Sequence, residues 1–127
     1  MSVNYKPVPK KNPSQQAEPA KFYAQVVSSG DMTTRQLAKQ ISAISTVSAA
    51  DTMAVIEAFL EVVPQALADG KIVRLGDFGS FSLAASSTGA ADASALTSAA
   101  INKVSVKFRA GKEFAKTIAA IDFTKTI

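Results

Sequence analysis

Ile72-Val73-Arg74-Leu75-Gly76-Asp77-Phe78-Gly79-Ser80-Phe81-Ser82-Leu83 is the stretch on which the fold turns. Before Gly70, apolar residues recur every three or four positions; after it they recur every second one. The stretch therefore marks the passage from a helical half to a strand half. Ile72–Leu75 is predicted as one strand and Phe78–Leu83 as the next, with Gly76-Asp77 as a turn or bulge between them.

Upstream, the first helix is predicted from an N-cap at Thr33 or Thr34, with Leu37, Ile41 and Ile44 on one face. Ser45-Thr46 interrupts it. Ser48 and Asp51 form a capping-box-like start for the second helix, with Val47 as the preceding apolar staple. That helix carries Val55, Ile56, Phe59, Leu60, Val62, Val63 and Leu67, an apolar face wider than one small helix–sheet contact needs. Burial against a second subunit is the expectation. Pro64 should kink or restart the helix, and Asp69-Gly70 should end it. Residues 1–30 hold four of the five prolines. Within them Val3–Val8 and Phe22–Val27 read as extended pieces joined by Lys10–Pro19, a possible β-hairpin.

Downstream, residues 84–100 are nearly all Ala, Ser, Thr and Gly and are expected to be loosely packed. Lys103-Val104-Ser105-Val106-Lys107-Phe108-Arg109 alternates as a third strand. Gly111 opens a last helix with Phe114 and Ile118 on one side and Lys112 and Lys116 on another. Ile121–Ile127 is expected to be an extended tail. Runs of helices followed by runs of strands make the class α+β.

The 127 residues are 47% hydrophobic and 19% charged, an ordinary globular composition. Cysteine and histidine are both absent, which excludes disulfides, thiol chemistry, Cys/His zinc sites and Ser-His-Asp triads. No metal or other cofactor is expected. Asp77-Phe78-Gly79 matches a kinase metal-binding triplet, but the chain is far too short for that enzyme and lacks its other loops. Glu57 and Glu61, four apart on one helix face, fit a solvated surface better than acid–base work. No enzyme activity and no small-molecule substrate are expected. The apolar runs are too short for a membrane span and Met1-Ser2-Val3-Asn4-Tyr5 does not begin a signal peptide, so the expected location is intracellular, away from membranes.

The formal charge of +4 is unevenly spread. Residues 1–30 carry +3, residues 31–70 carry −3, and residues 103–127 carry +4, while 82–102 contain Asp92 as their one charged residue. Lys103, Lys107 and Arg109 fall at i, i+4 and i+6 of a strand and so project from one face, with Val104, Val106 and Phe108 on the other. Lys112 stands at the first turn of the final helix, where free amides also favour an anion, and Lys116 follows it. Arg74 and Lys71 extend the group. A basic sheet face beside a helix start suits a phosphate backbone; a solvated edge is the competing reading.

Val73–Leu83, followed by Phe108-Arg109-Ala110-Gly111-Lys112-Glu113, resembles the bacterial histone-like HU and integration-host-factor family. Its members share a Gly-Phe-Gly-[Ser/Thr]-Phe strand and a Phe-[Lys/Arg]-Pro-Gly-Lys start to the last helix. The resemblance runs from about Thr33 to Ala120, and the N-terminal extension is similar to that of a divergent, longer subgroup. It implies an HU-like fold in residues 31–127: two N-terminal helices, a three-stranded antiparallel sheet with a β-arm, and a C-terminal helix. Residues 1–30 would add a β-hairpin. It further implies a homodimer with Ile56, Phe59, Leu60, Val63, Phe78, Phe81 and Phe108 in its core. The implied partner is double-stranded DNA in the cytoplasmic nucleoid, held through phosphates by Arg74, Lys103, Lys107, Arg109 and Lys112, with Lys116 alongside. The family arm is usually rich in Arg and Lys with an Arg-Asn-Pro tip, whereas residues 82–102 contain no Lys, Arg or proline. Asp77 replaces the first glycine, and Pro64 has no usual counterpart. These departures imply weak, non-specific binding with little bending. They also admit an HU-fold structural or protein-interaction module.

Overall fold

A computed structural model describes residues 1–15 and 17–126. In chain order the elements are β1 (Ser2–Lys10), β2 (Lys21–Val27), α1 (Thr34–Ala43), α2 (Ala49–Ala68), β3 (Val73–Arg74), β4 (Gly79–Ser87), β5 (Ile101–Ala110), α3 (Lys112–Ala119) and β6 (Asp122–Lys125). They form two bodies. One is Thr34–Lys116; the other joins Met1–Thr33 to the segment from Thr117 onward.

In the larger body, local chemistry sets the helix ends. Ser48 Oγ accepts from the Asp51 N–H at 3.1 Å, and Thr52 Oγ1 donates to the Ser48 carbonyl at 2.8 Å. The far end of α2 closes through Gly70 N–H to Leu67 and Lys71 N–H to Ala66, the paired bonds of a Schellman end. Pro64 does not restart the helix: α2 runs through it as one element of 20 residues. A single missing backbone bond is tolerated in a helix secured at both ends.

β3, β4 and β5 form one antiparallel sheet in that order. β3 is shorter than predicted, pairing with β4 at Val73 and Arg74, and a single 3-10 turn over Gly76–Phe78 moves the start of β4 to Gly79. Residues 84–87 depart from the expected loose stretch. They continue β4, with Ala84 opposite Ser105, Ala85 opposite Val104 and Ser86 opposite Lys103, before a register shift at Ser87. Weak strand formers are carried here by the backbone pairing to β5, in which Val104 is the β-branched partner. Beyond them come two short 3-10 turns, Ala93–Ala95 and Ser98–Ala100. Asp92 caps the first: bonds from Ser94 Oγ and the Ala95 N–H hold its carboxyl below the ordinary carboxylate value. The one charge of the arm is thereby engaged in shaping its own turn.

The smaller body is a sheet in the order β2-β1-β6. The predicted hairpin is present, with seven antiparallel pairs from Asn4–Val27 to Lys10–Lys21. β6 lies parallel to β1, Ser2 opposite Asp122 and Tyr5 opposite Lys125, with the Thr126 N–H donating to the Tyr5 carbonyl at 2.8 Å. The tail read as extended is therefore a sheet strand; Ile127, its last residue, lies outside the described residues.

Among the described residues, Ala38 and Leu67 are the buried apolar ones, and Thr52 the buried polar one. The accessible surface is 10440 Å², where two closed bodies of these sizes would expose roughly 7,700 Å². Much of the apolar face of this chain is thus uncovered. No helix among the described residues is long and apolar enough to cross a membrane.

Candidate nucleic-acid interface

Strand alternation divides the β3-β4-β5 sheet into two unlike faces. On one, Val73, Phe81 and Phe108 make a row across all three strands, followed by Leu83 with Val106 and Ala85 with Val104. On the other, the row is Arg74, Ser80 and Arg109, followed by Ser82 with Lys107, Ala84 with Ser105 and Ser86 with Lys103. Every cation on that face stands beside a short side chain. Arg74, Lys103, Lys107 and Arg109 are all exposed.

The end of this face is hollowed. A depression of about 450 Å³ is lined by residues that include Arg74, Ser80, Ser82, Arg109 and Gly111, and the charged ones among its lining are both arginines. Two glycines in its lining permit close backbone packing. Gly79 has φ +148°, and a Cβ there would meet the Phe108 ring and the Arg109 carbonyl. A Cβ at Gly111 would collide with the Asp77 carbonyl, and the Gly111 N–H donates to the Phe78 carbonyl at 2.8 Å. The 3-10 turn and the start of α3 are locked together, with Arg109 in the same row as Arg74 and Ser80 between them. Gly111→Ala should lower stability by about 1–3 kcal/mol through this overpacking. Gly89, whose added Cβ would meet nothing within 4 Å, should tolerate alanine to within about 0.5 kcal/mol. Thermal unfolding of the two variants checks both.

The sequence-predicted cations divide in two. Arg74, Lys103, Lys107 and Arg109 share the sheet face. Lys112 and Lys116 lie on α3, exposed, the first directly after Gly111 and the second one turn further on. Ser80 and Ser82, which keep the cationic face low, were not singled out from the sequence, although the alternation Ser80-Phe81-Ser82 marks them.

The residues expected in an intersubunit core also divide. Phe59, Leu60, Val63 and Phe81 line one apolar groove of about 500 Å³, together with Leu83, Val104 and Val106. Phe78 and Phe108 instead join Phe114 of α3, with ring centres 5.1 to 5.6 Å apart, and Phe81 meets Phe108 at 4.9 Å. Each such pair contributes about 0.5–1.5 kcal/mol beyond its area, so this cluster ties α3 to the sheet within one chain. Ile56 is half-buried on α2 and does not line the groove.

Residues 1–125 match the model of the HU-HIG family, described as an HU domain fused to a winged helix-turn-helix, Ig or glycine-rich motif. Among solved structures, the chain is similar to a protein of Bacteroides vulgatus ATCC 8482 that has been proposed to be a bacterial DNA-binding protein. The TM-score is 0.64 at 18% identity, over 98% of this chain and 47% of the other. This chain thus spans about half the length of that structure, and the likeness establishes the fold. No curated protein sequence matches the chain significantly.

Proposed function

The chain belongs to the HU-HIG family, and from that membership we propose that it binds duplex DNA through the cationic face of the β3-β4-β5 sheet. The observation that carries the reading is the register that sets Arg74, Arg109, Lys107 and Lys103 on one face over short serine and alanine neighbours. Long flexible cations without base-reading partners contact phosphates and carry little sequence information. Lys112 and Lys116 extend the contact from α3. The described neighbour from Bacteroides vulgatus, itself proposed to bind DNA, supports the same reading.

Binding is non-specific and modest in affinity, with little bending, because residues 82–102 offer no cation and no proline to wedge between base steps. The working unit is a homodimer, supported by the uncovered groove along Phe59, Leu60 and Val63. Such a protein acts in the cytoplasm on the nucleoid, without catalysis.

Fluorescence anisotropy on duplexes of unrelated sequence between 50 and 200 mM salt tests this. The expected result is similar affinity on each duplex and a steep log–log salt slope of about −9 to −11, the signature of six cations on each of two protomers neutralising phosphates. Absence of binding at 50 mM salt, or binding indifferent to salt, rejects it. A protein-interaction role is favoured by one observation, a hollow at the arm lined by Ala85, Leu96 and Ile101, with Leu96 exposed. A stoichiometric protein partner recovered without DNA would establish that role in its place.

A further inference from the structure

The smaller body carries cations of its own, and their placement is not explained by the sheet face described above. The β1–β2 register sets Lys6 opposite Gln25, Val8 opposite Tyr23, and Lys10 opposite Lys21. All of these side chains share one face of the hairpin. Lys6, Lys10 and Lys21 are exposed, as is Lys11 just beyond the last pair.

The Lys10–Lys21 pair closes the hairpin. Like charges directly opposite one another destabilise an antiparallel ladder, and six further pairs hold this register in place. An anion bridging the two ammonium groups removes that repulsion. Glu18 lines the same small hollow as Lys10 and Lys21, together with Asn12, Gln15 and Tyr23. One carboxylate offsets one of the two lysines, and Lys11 keeps the tip positive. Asp122 stands opposite Ser2, at the other end of the strand face. Lys10 Nζ lies 5.9 Å from the Tyr23 ring centre, and that ring is half exposed. Cations beside an exposed aromatic are the components of a nucleic-acid backbone surface. The contrast with the β4–β5 arm is informative: residues 87–100 hold Asp92 alone, already engaged with Ser94 and Ala95.

We propose that the N-terminal hairpin is a second nucleic-acid-binding surface, in which Lys10 and Lys21, extended by Lys6, clamp a backbone phosphate. The proposal rests on the reading of the chain as a DNA-binding protein, and adds a contact by a different body of the molecule. Lysine ammonium groups act here as point charges, so the contact is indifferent to base sequence.

The test compares full-length Lys10→Gln/Lys21→Gln with the unsubstituted chain on a duplex of about 30 base pairs, from 25 to 200 mM salt. In the homodimer the variant removes one phosphate clamp per protomer, and the two lost contacts weaken binding by about 60-fold at 0.1 M salt and reduce the log–log slope by about two. Thermal unfolding should occur at the same or a higher temperature, since the like-charge pair is gone. Weaker binding without loss of stability is a combination that a merely structural pair does not produce. As a second measurement, duplex DNA should protect Lys10 and Lys21 from amine acetylation. Unchanged affinity and slope, while Lys107→Glu/Arg109→Glu lowers both, overturn the hairpin surface and leave the sheet interface standing. If neither double variant moves affinity or slope, both surfaces fall.

Discussion

Lys107→Glu/Arg109→Glu weakens duplex binding by about 10³-fold or more at 0.1 M salt, the larger of the expected effects on function. Each phosphate contact contributes close to an eightfold factor at that ionic strength and about 0.9 to the log–log slope. In a homodimer the double substitution removes four such contacts and sets four carboxylates against the backbone. The slope should fall by between three and four. Ser82 and Ser80 stand opposite the substituted positions, and both positions are exposed, so stability should change by no more than about 0.5 kcal/mol. The loss should be equal on AT-rich and GC-rich duplexes, because phosphates and not base edges are contacted. Retained affinity in anisotropy titrations, or a loss confined to one sequence, would sink the sheet-face interface.

Leu60→Glu is expected to convert the protein to a single chain of 13.2 kDa in sedimentation velocity, with a large fall in thermal stability. Leu60 is 58% exposed in the lone chain, where a surface substitution costs no more than about 0.5 kcal/mol. Glutamate keeps leucine's helix propensity, so α2 itself is unaffected. In a dimer that closes over the groove, each protomer instead loses the burial of a leucine, about 2 kcal/mol. Each also buries a carboxylate without a partner, a further several kcal/mol. Dimer affinity should drop by more than 10³-fold. A mass of one chain for the unsubstituted protein, or a variant as stable as its parent, would falsify the dimer.

Elements specified within a few residues were legible in the sequence. The Ser48–Asp51 cap, the Asp69-Gly70 stop and the hairpin pieces Val3–Val8 and Phe22–Val27 appear where local rules put them. So does the two-faced strand from Lys103 to Arg109, since a period of two fixes its faces whichever strand it pairs with. At Pro64 the local rule allows a kink or a restart, and the restart does not occur because an otherwise secured helix of 20 residues runs through it. Ala84–Ser87 was not legible: nothing in those small residues asks for a strand, and pairing with Val104 and Lys103 supplies one.

Local chemistry was enough to establish the α+β class, the helix ends, the alternation of the sheet and the set of cations. These depend on interactions within about four residues, so their energetics are written in neighbouring side chains. Three-dimensional packing decided the rest. The row Arg74, Ser80, Arg109 exists because a 3-10 turn of one length, locked against Gly111, sets the register of three strands. The opposition of Lys10 and Lys21, and the docking of β6 beside β1 across some 120 residues of chain, are likewise matters of register. Register is a long-range choice, and a shift of one residue would turn every side chain to the other face. The +4 net charge was thus evident from composition. That its cations gather into one sheet face and one hairpin face was decided by pairing between residues distant in sequence.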